Sequence, residues 1–159
     1  MVGAIHNFRW LNPNLCRGGR LTPEGARSLA DMGIRTVISL EGRGADRERE
    51  WVEGLGMRFE SVPLSRFFAP PLQRVVKLIE SLSDPQNHPV YIHCKAGKDR
   101  TGMVVACYRI AVEGWTTEDA LKEMRECGSN WYAYCLKRAV LKFARAWGRP
   151  PGPPEPPPR

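Results

Sequence analysis

The stretch His93-Cys94-Lys95-Ala96-Gly97-Lys98-Asp99-Arg100-Thr101-Gly102 holds side chains whose chemistry is intelligible only as a set. Cys94 follows the short apolar run Val90-Tyr91-Ile92-His93 and precedes an apolar segment from Met103 to Val112. The order is therefore strand, tight loop, buried helix. At such a junction backbone N–H groups converge and the helix dipole is positive. These surroundings favour the thiolate, the nucleophilic form of cysteine. The same N–H groups can bind phosphate oxygens. Arg100 can add two parallel hydrogen bonds from a guanidinium that stays charged. Phosphoryl transfer spreads charge over its transition state, so positioning and electrostatics supply most of the catalysis. Gly97 stands where the loop must approach a ligand without a Cβ. The chemistry implied is attack of a cysteine thiolate on a phosphate monoester.

Strand and helix signals alternate along the chain that must hold this loop. An extended stretch around Asn14-Leu15-Cys16-Arg17 runs into the turn Gly18-Gly19. Thr22 as N-cap and Pro23 at the first helical position open a helix striped by Ala26, Leu29 and Ala30 and ended by Gly33. Ile34 to Leu40 reads as a buried strand, Ala45 to Leu55 as a charged helix, and Met57 to Leu64 as a further strand. Pro70 and Pro71 open a helix with Leu72, Val75, Val76, Ile79 and Leu82 on one face. A capped helix from Thr116 or Thr117 to about Cys127 follows, then a last helix from about Ser129 to Trp147 whose face carries Leu136, Val140, Phe143, Ala144 and Trp147. The alternation predicts an α/β fold with a mostly parallel central sheet flanked by helices. There is no internal repeat.

At 159 residues and 42% hydrophobic content the chain fits one domain with one sizeable core. That domain is expected over residues 1–147, with a Pro-rich, disordered tail at 148–159. No apolar run approaches the roughly 18 to 20 residues that span a bilayer, and the first residues lack a basic start and an apolar run. A soluble, cytoplasmic monomer without integral membrane association is expected. Five cysteines, none in a metal-binding or redox pair, suit a reducing compartment, where all but Cys94 are expected to be buried apolar groups. The net charge of +7, from 24 Lys and Arg against 17 Asp and Glu, attracts anions without naming them. No basic-aromatic stripe or nucleic-acid-binding signature is present, so nucleic acid is not an expected partner. No metal or cofactor is expected.

The pattern H-C-x-x-G-x-x-R-T resembles the signature of the protein tyrosine and dual-specificity phosphatase superfamily. Asn14 to Gly19, Gly33 to Leu40 and Gly114 to Ala120 extend the likeness to bacterial dual-specificity-type sequences over roughly residues 7 to 146. The layout is similar to that of plant and fungal atypical dual-specificity phosphatases, associated with inositol pyrophosphates and phosphoinositides. The resemblance implies a protein tyrosine phosphatase-like fold. It also implies hydrolysis without metal through a phosphocysteine on Cys94, with Arg100 clamping the phosphoryl group and a carboxylic acid protonating the leaving oxygen. Expected substrates are phosphotyrosine, phosphoserine or phosphothreonine proteins, or phosphoinositides and inositol phosphates.

Many relatives carry that acid on a loop corresponding to Val62 to Pro70, which here contains no Asp or Glu. Asp99 is the candidate instead, as in myotubularin-like and secreted bacterial phosphatases whose loop is similar. Asp46 and the glutamates between Glu41 and Glu53 are alternatives, and a purely loop-stabilising ion pair is the plain reading of Asp99. The substrate-binding set is Lys95, Ala96, Gly97, Lys98 and Arg100. Lys95 and Lys98, found also in the tumour-suppressor phosphoinositide 3-phosphatase, either favour substrates with several phosphates or steer anions generally. Thr101 hydrogen-bonds the sulfur or caps the helix, and His93 supports the loop. Arg17, Arg20 and Arg66 touch substrate or lie on an ordinary surface, and Phe67 and Phe68 wall the cleft or join the core. Competing functions are a catalytically silent phosphate-binding module and a thiol-dependent arsenate reductase or sulfurtransferase.

Overall fold

The computed structural model describes residues 2–130 and 133–148, so the Pro-rich segment after Gly148 lies outside the described residues. Five strands and six α-helices are described, in the order β1 (Arg9–Asn12), β2 (Leu15–Gly18), α1 (Pro23–Asp31), β3 (Thr36–Ser39), α2 (Ala45–Gly54), β4 (Arg58–Ser61), α3 (Leu72–Ser83), β5 (Val90–His93), α4 (Asp99–Ala111), α5 (Thr117–Glu126) and α6 (Tyr134–Ala146). The strands form one sheet in the order β1-β2-β5-β3-β4. All pairings are parallel except that of β1 with β2. The expected mostly parallel α/β fold is the one observed. Edge strand β1 was not anticipated: its side chains are exposed or half-buried and carry no clear alternation, and its pairing with β2 defines it.

Residue types explain the element ends. The Thr22 hydroxyl accepts a hydrogen bond from the Gly25 amide at 3.0 Å, Pro23 begins α1, and Gly33 leaves it with φ +80°, in the left-handed region. Strand side chains alternate between two cores. Leu15, Ile38, Val90 and Ile92 face α3 to α6, whereas Cys16, Val37 and Tyr91 face α1 and α2. Helix α4 is buried from Arg100 through Ile110. Its enclosure on every side explains why no amphipathic period marks it.

Several expectations need correction. Helix α6 starts at Tyr134 and not near Ser129, because Gly128 leaves α5 with φ +94° and Asp99 holds the segment that follows. Trp147 is 45% exposed and stacks on Phe143 without joining the core. On α3, Leu72 at the first turn is 39% exposed, and Leu78 lies in the core. Phe67 and Phe68 are 70% and 73% exposed, so neither packs in the core. Cys135 is exposed, whereas Cys16, Cys107 and Cys127 are buried as expected. Among the described residues, no helix is long and apolar enough to cross a membrane.

Leu82→Ala should destabilise the protein by about 2–5 kcal/mol, because it opens a cavity at a fully buried position of α3. Leu72→Ala, at the exposed start of the same helix, should cost less than about 0.5 kcal/mol. Urea denaturation of both variants checks the contrast.

Candidate active site

Strand β5 is central, with β2 and β3 on either side, and His93 is in register with both Gly18 and Ser39. The loop from Cys94 to Lys98 therefore leaves the sheet between the segments that follow β2 and β3. Its carbonyls all find donors on the protein side. The His93 ring Nδ1 lies 3.2 Å from the Cys94 oxygen. The Arg20 amide donates to the Lys95 oxygen at 3.1 Å. The Asn7 side-chain amide donates to the oxygens of Ala96 and Gly97 at 3.5 and 3.3 Å, and the Arg17 guanidinium donates to the Gly97 oxygen at 2.9 Å. In a trans peptide the next N–H points opposite to its carbonyl. With the carbonyls drawn into the protein, the N–H groups of residues 95–98 are turned away from it, and they donate to no backbone acceptor among the described residues. Helix α4 begins at Asp99 without a side-chain cap, adding the free amides of its first turn to the same concavity.

Glycines make the close approach possible. A Cβ on Gly97, which has φ +68°, would overlap the Gly18 carbonyl and sit 2.8 Å from the Gly19 nitrogen. A Cβ on Gly18 would lie 2.6 Å from the Tyr91 hydroxyl, which donates to the Gly19 oxygen at 2.6 Å.

The structure brings Cys94, Arg100 and Thr101 together at this loop, all three buried. Arg100 donates to the Leu40 oxygen at 3.4 Å, which ties its guanidinium to the end of β3. The Thr101 hydroxyl is wholly buried and has no hydrogen-bond partner among the described residues, the Cys94 sulfur included. One oxygen of Asp99 accepts from the Ser129 hydroxyl at 3.1 Å and the Asn130 amide at 3.0 Å. No Lys or Arg salt bridge to Asp99 is formed among the described residues, so the ion pair of the plain reading is absent. Burial pushes the Cys16 and Cys107 thiols well up from the ordinary range, which keeps both protonated.

Arg17 does not lie on an ordinary surface. It is 1% exposed beneath Gly97, with Nε and Nη1 unpartnered among the described residues. Desolvation lowers its pKa, and the fields of Cys127, Glu123 and Cys94 oppose that effect. Arg20 pairs with Glu41 through two hydrogen bonds of 3.0 and 2.5 Å. Glu48 bonds His93 Nε2, and Glu41 lies 4.0 Å from Nδ1 of the same ring. Of the alternative acids, Glu41 and Glu48 are thus engaged, Glu53 pairs with Arg49 at 3.1 Å, and Asp46 is exposed on α2. Glu41, Glu48 and His93 hold possible ligand atoms within 4.8 Å of one another. With Arg20 and His93 already serving as positive or hydrogen-bonding partners, the cluster reads as an ion-pair network. A pocket of about 380 Å³ opens beside it, lined in part by Arg20, Arg43, Arg47 and Trp51. Lys95 is exposed at the loop, and the Lys98 stem packs against Gly128. Arg66 is exposed beside Phe67.

Sequence reasoning missed Asn7, Glu41 and Glu48 as parts of the loop's support. Asn7 has φ +56°, but nothing local in the sequence marks an asparagine that serves a loop 90 residues away. The alternation along β5 did carry a signal for Glu48: His93 shares a face with Tyr91, and that face looks at α2.

Residues 9–134 match the family model described as DSP-PTPase phosphatase fused to NAD+ kinase. The chain is 30% identical over 125 residues to the dual specificity protein phosphatase TpbA of Pseudomonas aeruginosa, covering 79% of this chain and 56% of that protein. It is 42% identical over 131 residues to the inositol diphosphatase DSP5 of Arabidopsis thaliana, covering 79% and 64% respectively. It thus spans less than two thirds of the length of these curated relatives. The crystal structure of a cysteine-to-serine form of P. aeruginosa TpbA in complex with phosphotyrosine superposes with a TM-score of 0.74 and 26% identity, covering 89% of this chain and 90% of that one.

Gly97→Ala should leave the fold recognisable by circular dichroism but weaken tungstate binding at least about tenfold, because the added methyl drives the loop off Gly18 and Gly19. Calorimetric titration with tungstate measures this, and unchanged affinity would show that the loop is not the anion site.

Proposed function

The chain belongs to the dual-specificity-type protein tyrosine phosphatases, the DSP-PTPase family, and from that premise we propose that it hydrolyses phosphate monoesters through a phosphocysteine on Cys94. The observation that carries this reading is the run of loop carbonyls drawn into the protein, which leaves an array of N–H donors around the position in front of the thiol. A sulfur anion and a phosphoryl group are both stabilised by such an array.

In the first step Cys94 Sγ attacks phosphorus, the bond to the leaving oxygen breaks, and Asp99 supplies the proton. Arg100 follows the equatorial oxygens as charge spreads over them. In the second step water attacks phosphorus, the P–S bond breaks, and Asp99 takes up the proton. The Thr101 hydroxyl, which has no partner among the described residues, is the proposed donor to the departing thiolate. One Asp99 oxygen is anchored on Ser129 and Asn130, leaving the other for the proton. Those two bonds also favour a second reading, in which Asp99 only fastens the loop to the end of α5.

The substrate class rests on the surroundings of the loop. Exposed Lys95, together with Arg43 and Arg47 in the neighbouring pocket, favours a substrate with more than one anionic group. The phosphotyrosine complex of TpbA and the inositol diphosphatase relatives support phosphoproteins and inositol phosphates respectively. The thiols of the five cysteines suit a cytoplasmic location.

Turnover of p-nitrophenyl phosphate in the absence of metal tests the function. Cys94→Ser should lose more than about 10³-fold in kcat while still binding phosphate, because serine is not an anion here. Full hydrolysis by that variant would remove Cys94 as nucleophile. Binding without turnover by the native chain would establish the silent module. Asp99→Asn keeps the acceptor for Ser129 and Asn130 but cannot give a proton. It should lower kcat by about 10² to 10⁴ on alkyl phosphates and far less on p-nitrophenyl phosphate. Equal loss on both substrates would assign Asp99 to fastening alone.

A further inference from the structure

We propose that Glu48 is a positioning residue for the phosphate loop: from helix α2 it fixes a hydrogen on Nδ1 of His93, and that hydrogen aims the first N–H of the loop at the oxyanion. The inference rests on the phosphatase reading for its catalytic consequence, though not for its structural core.

Hydrogen accounting carries it. His93 is fully buried, and both ring nitrogens face oxygens: Nε2 faces a Glu48 carboxyl oxygen and Nδ1 faces the Cys94 carbonyl at 3.2 Å. A carbonyl can only accept. The Nδ1 contact is attractive only if Nδ1 carries hydrogen. A neutral ring with that hydrogen presents a bare Nε2, which would repel an ionised Glu48. Two arrangements satisfy both contacts, an imidazolium beside a carboxylate or an Nδ1–H ring beside a protonated carboxyl. Both contain the Nδ1–H. A neutral ring beside an apolar residue would be free to carry its hydrogen on Nε2 and to turn its lone pair on the carbonyl.

The other groups around the ring reinforce this choice. Glu41, on the segment after β3, lies 4.0 Å from Nδ1 and favours a hydrogen there, with Arg20 from the segment after β2 holding that carboxylate in place. Tyr91, on β5, stacks on the ring at 5.5 Å between centroids and sets its plane. The consequence passes through one peptide unit. The Cys94 carbonyl and the Lys95 N–H belong to the same planar group and point in opposite directions. Holding the carbonyl toward His93 therefore holds the Lys95 N–H toward the site of the phosphoryl group. Glu48, 45 residues from His93 in the chain, controls the aim of a donor it never touches.

The test uses the full chain, tungstate as a probe of the empty loop, and nitrogen-15 NMR of the His93 ring. Deleting one oxyanion donor costs about 10² to 10³ in rate. A donor that is misaimed but present should cost about tenfold, so Glu48→Leu is expected to raise the tungstate Kd about tenfold and to lower kcat in proportion with KM little changed. Glu48→Gln can donate its own amide hydrogen to Nε2 and keep the hydrogen on Nδ1, so it should stay within about threefold of the native protein by the same measure. In the native protein the NMR signal of Nδ1 should be that of a protonated nitrogen. A bare native Nδ1 overturns the proposal, as does native tungstate affinity in Glu48→Leu. Equal loss in Glu48→Gln and Glu48→Leu, with Nδ1 still protonated in the former, overturns it in favour of a charge effect. The native NMR reading stands even if Glu48→Leu fails to fold. If native protein binds tungstate but turns over no ester, the phosphatase reading fails while the positioning claim stands.

Discussion

The structure around Cys94 depends on one constraint of the peptide bond: N–H groups can converge on a ligand only if the carbonyls attached to them are turned elsewhere and satisfied there. A buried carbonyl without a donor costs about as much as a lost hydrogen bond. Here the donors come from four places in the chain: the Asn7 side chain, the Arg17 guanidinium, the Arg20 backbone and the His93 ring. The proposed anion site is the exposed side of a hydrogen-bonded arrangement whose other side is inside the protein.

The sheet makes this arrangement available. Strand β5 lies between β2 and β3, so connections on its two sides depart in different directions and leave a crevice at the strand ends. Ligands of open α/β sheets are found in such crevices. Register fixes the rest, because Gly18 and Ser39 are level with His93. Gly18, Gly19 and Arg20 then meet the loop from one side and Leu40 and Glu41 from the other. The absence of a Cβ at Gly18, Gly19 and Gly97 lets two backbones come within hydrogen-bonding distance. Helix α4, buried on every side, directs its uncapped N-terminus into the same space.

These supports have a cost in stability. Arg17 is buried with two of its nitrogens unpaired, and removing a charged group from water without full compensation is unfavourable. Its position behind Gly97 puts a positive charge under the loop, where an oxyanion would offset part of that penalty. Glu41 and Glu48 are likewise buried, each satisfied by a single partner of opposite or hydrogen-bonding character. Arg17 and Thr101, two of the three residues that carry buried unpartnered polar atoms among the described residues, lie at this end of the sheet, whereas the strand residues of the two apolar cores follow simple alternation.

Chemistry and element order were legible in the residues because both are local. The proposed nucleophile, the proposed clamping arginine and the loop glycine lie within seven consecutive positions, Cys94 to Arg100. Caps such as Thr22, glycine exits such as Gly33 and the β-branched run at Ile34 to Leu40 state their elements within a turn or two of chain. The edge strand β1, the start of α6 and the exposure of Trp147 and Phe68 were not legible, since pairing and packing partners from elsewhere decide them. The partners of the loop carbonyls belong to the same class. Asn7 and Arg17 reach Gly97 across 90 and 80 residues, and Glu48 reaches His93 across 45. Residue types by themselves determined which atoms can react; the order of strands across the sheet decided which distant side chains hold those atoms in place, because neighbours in a parallel sheet are set by crossovers that leave no period in the sequence.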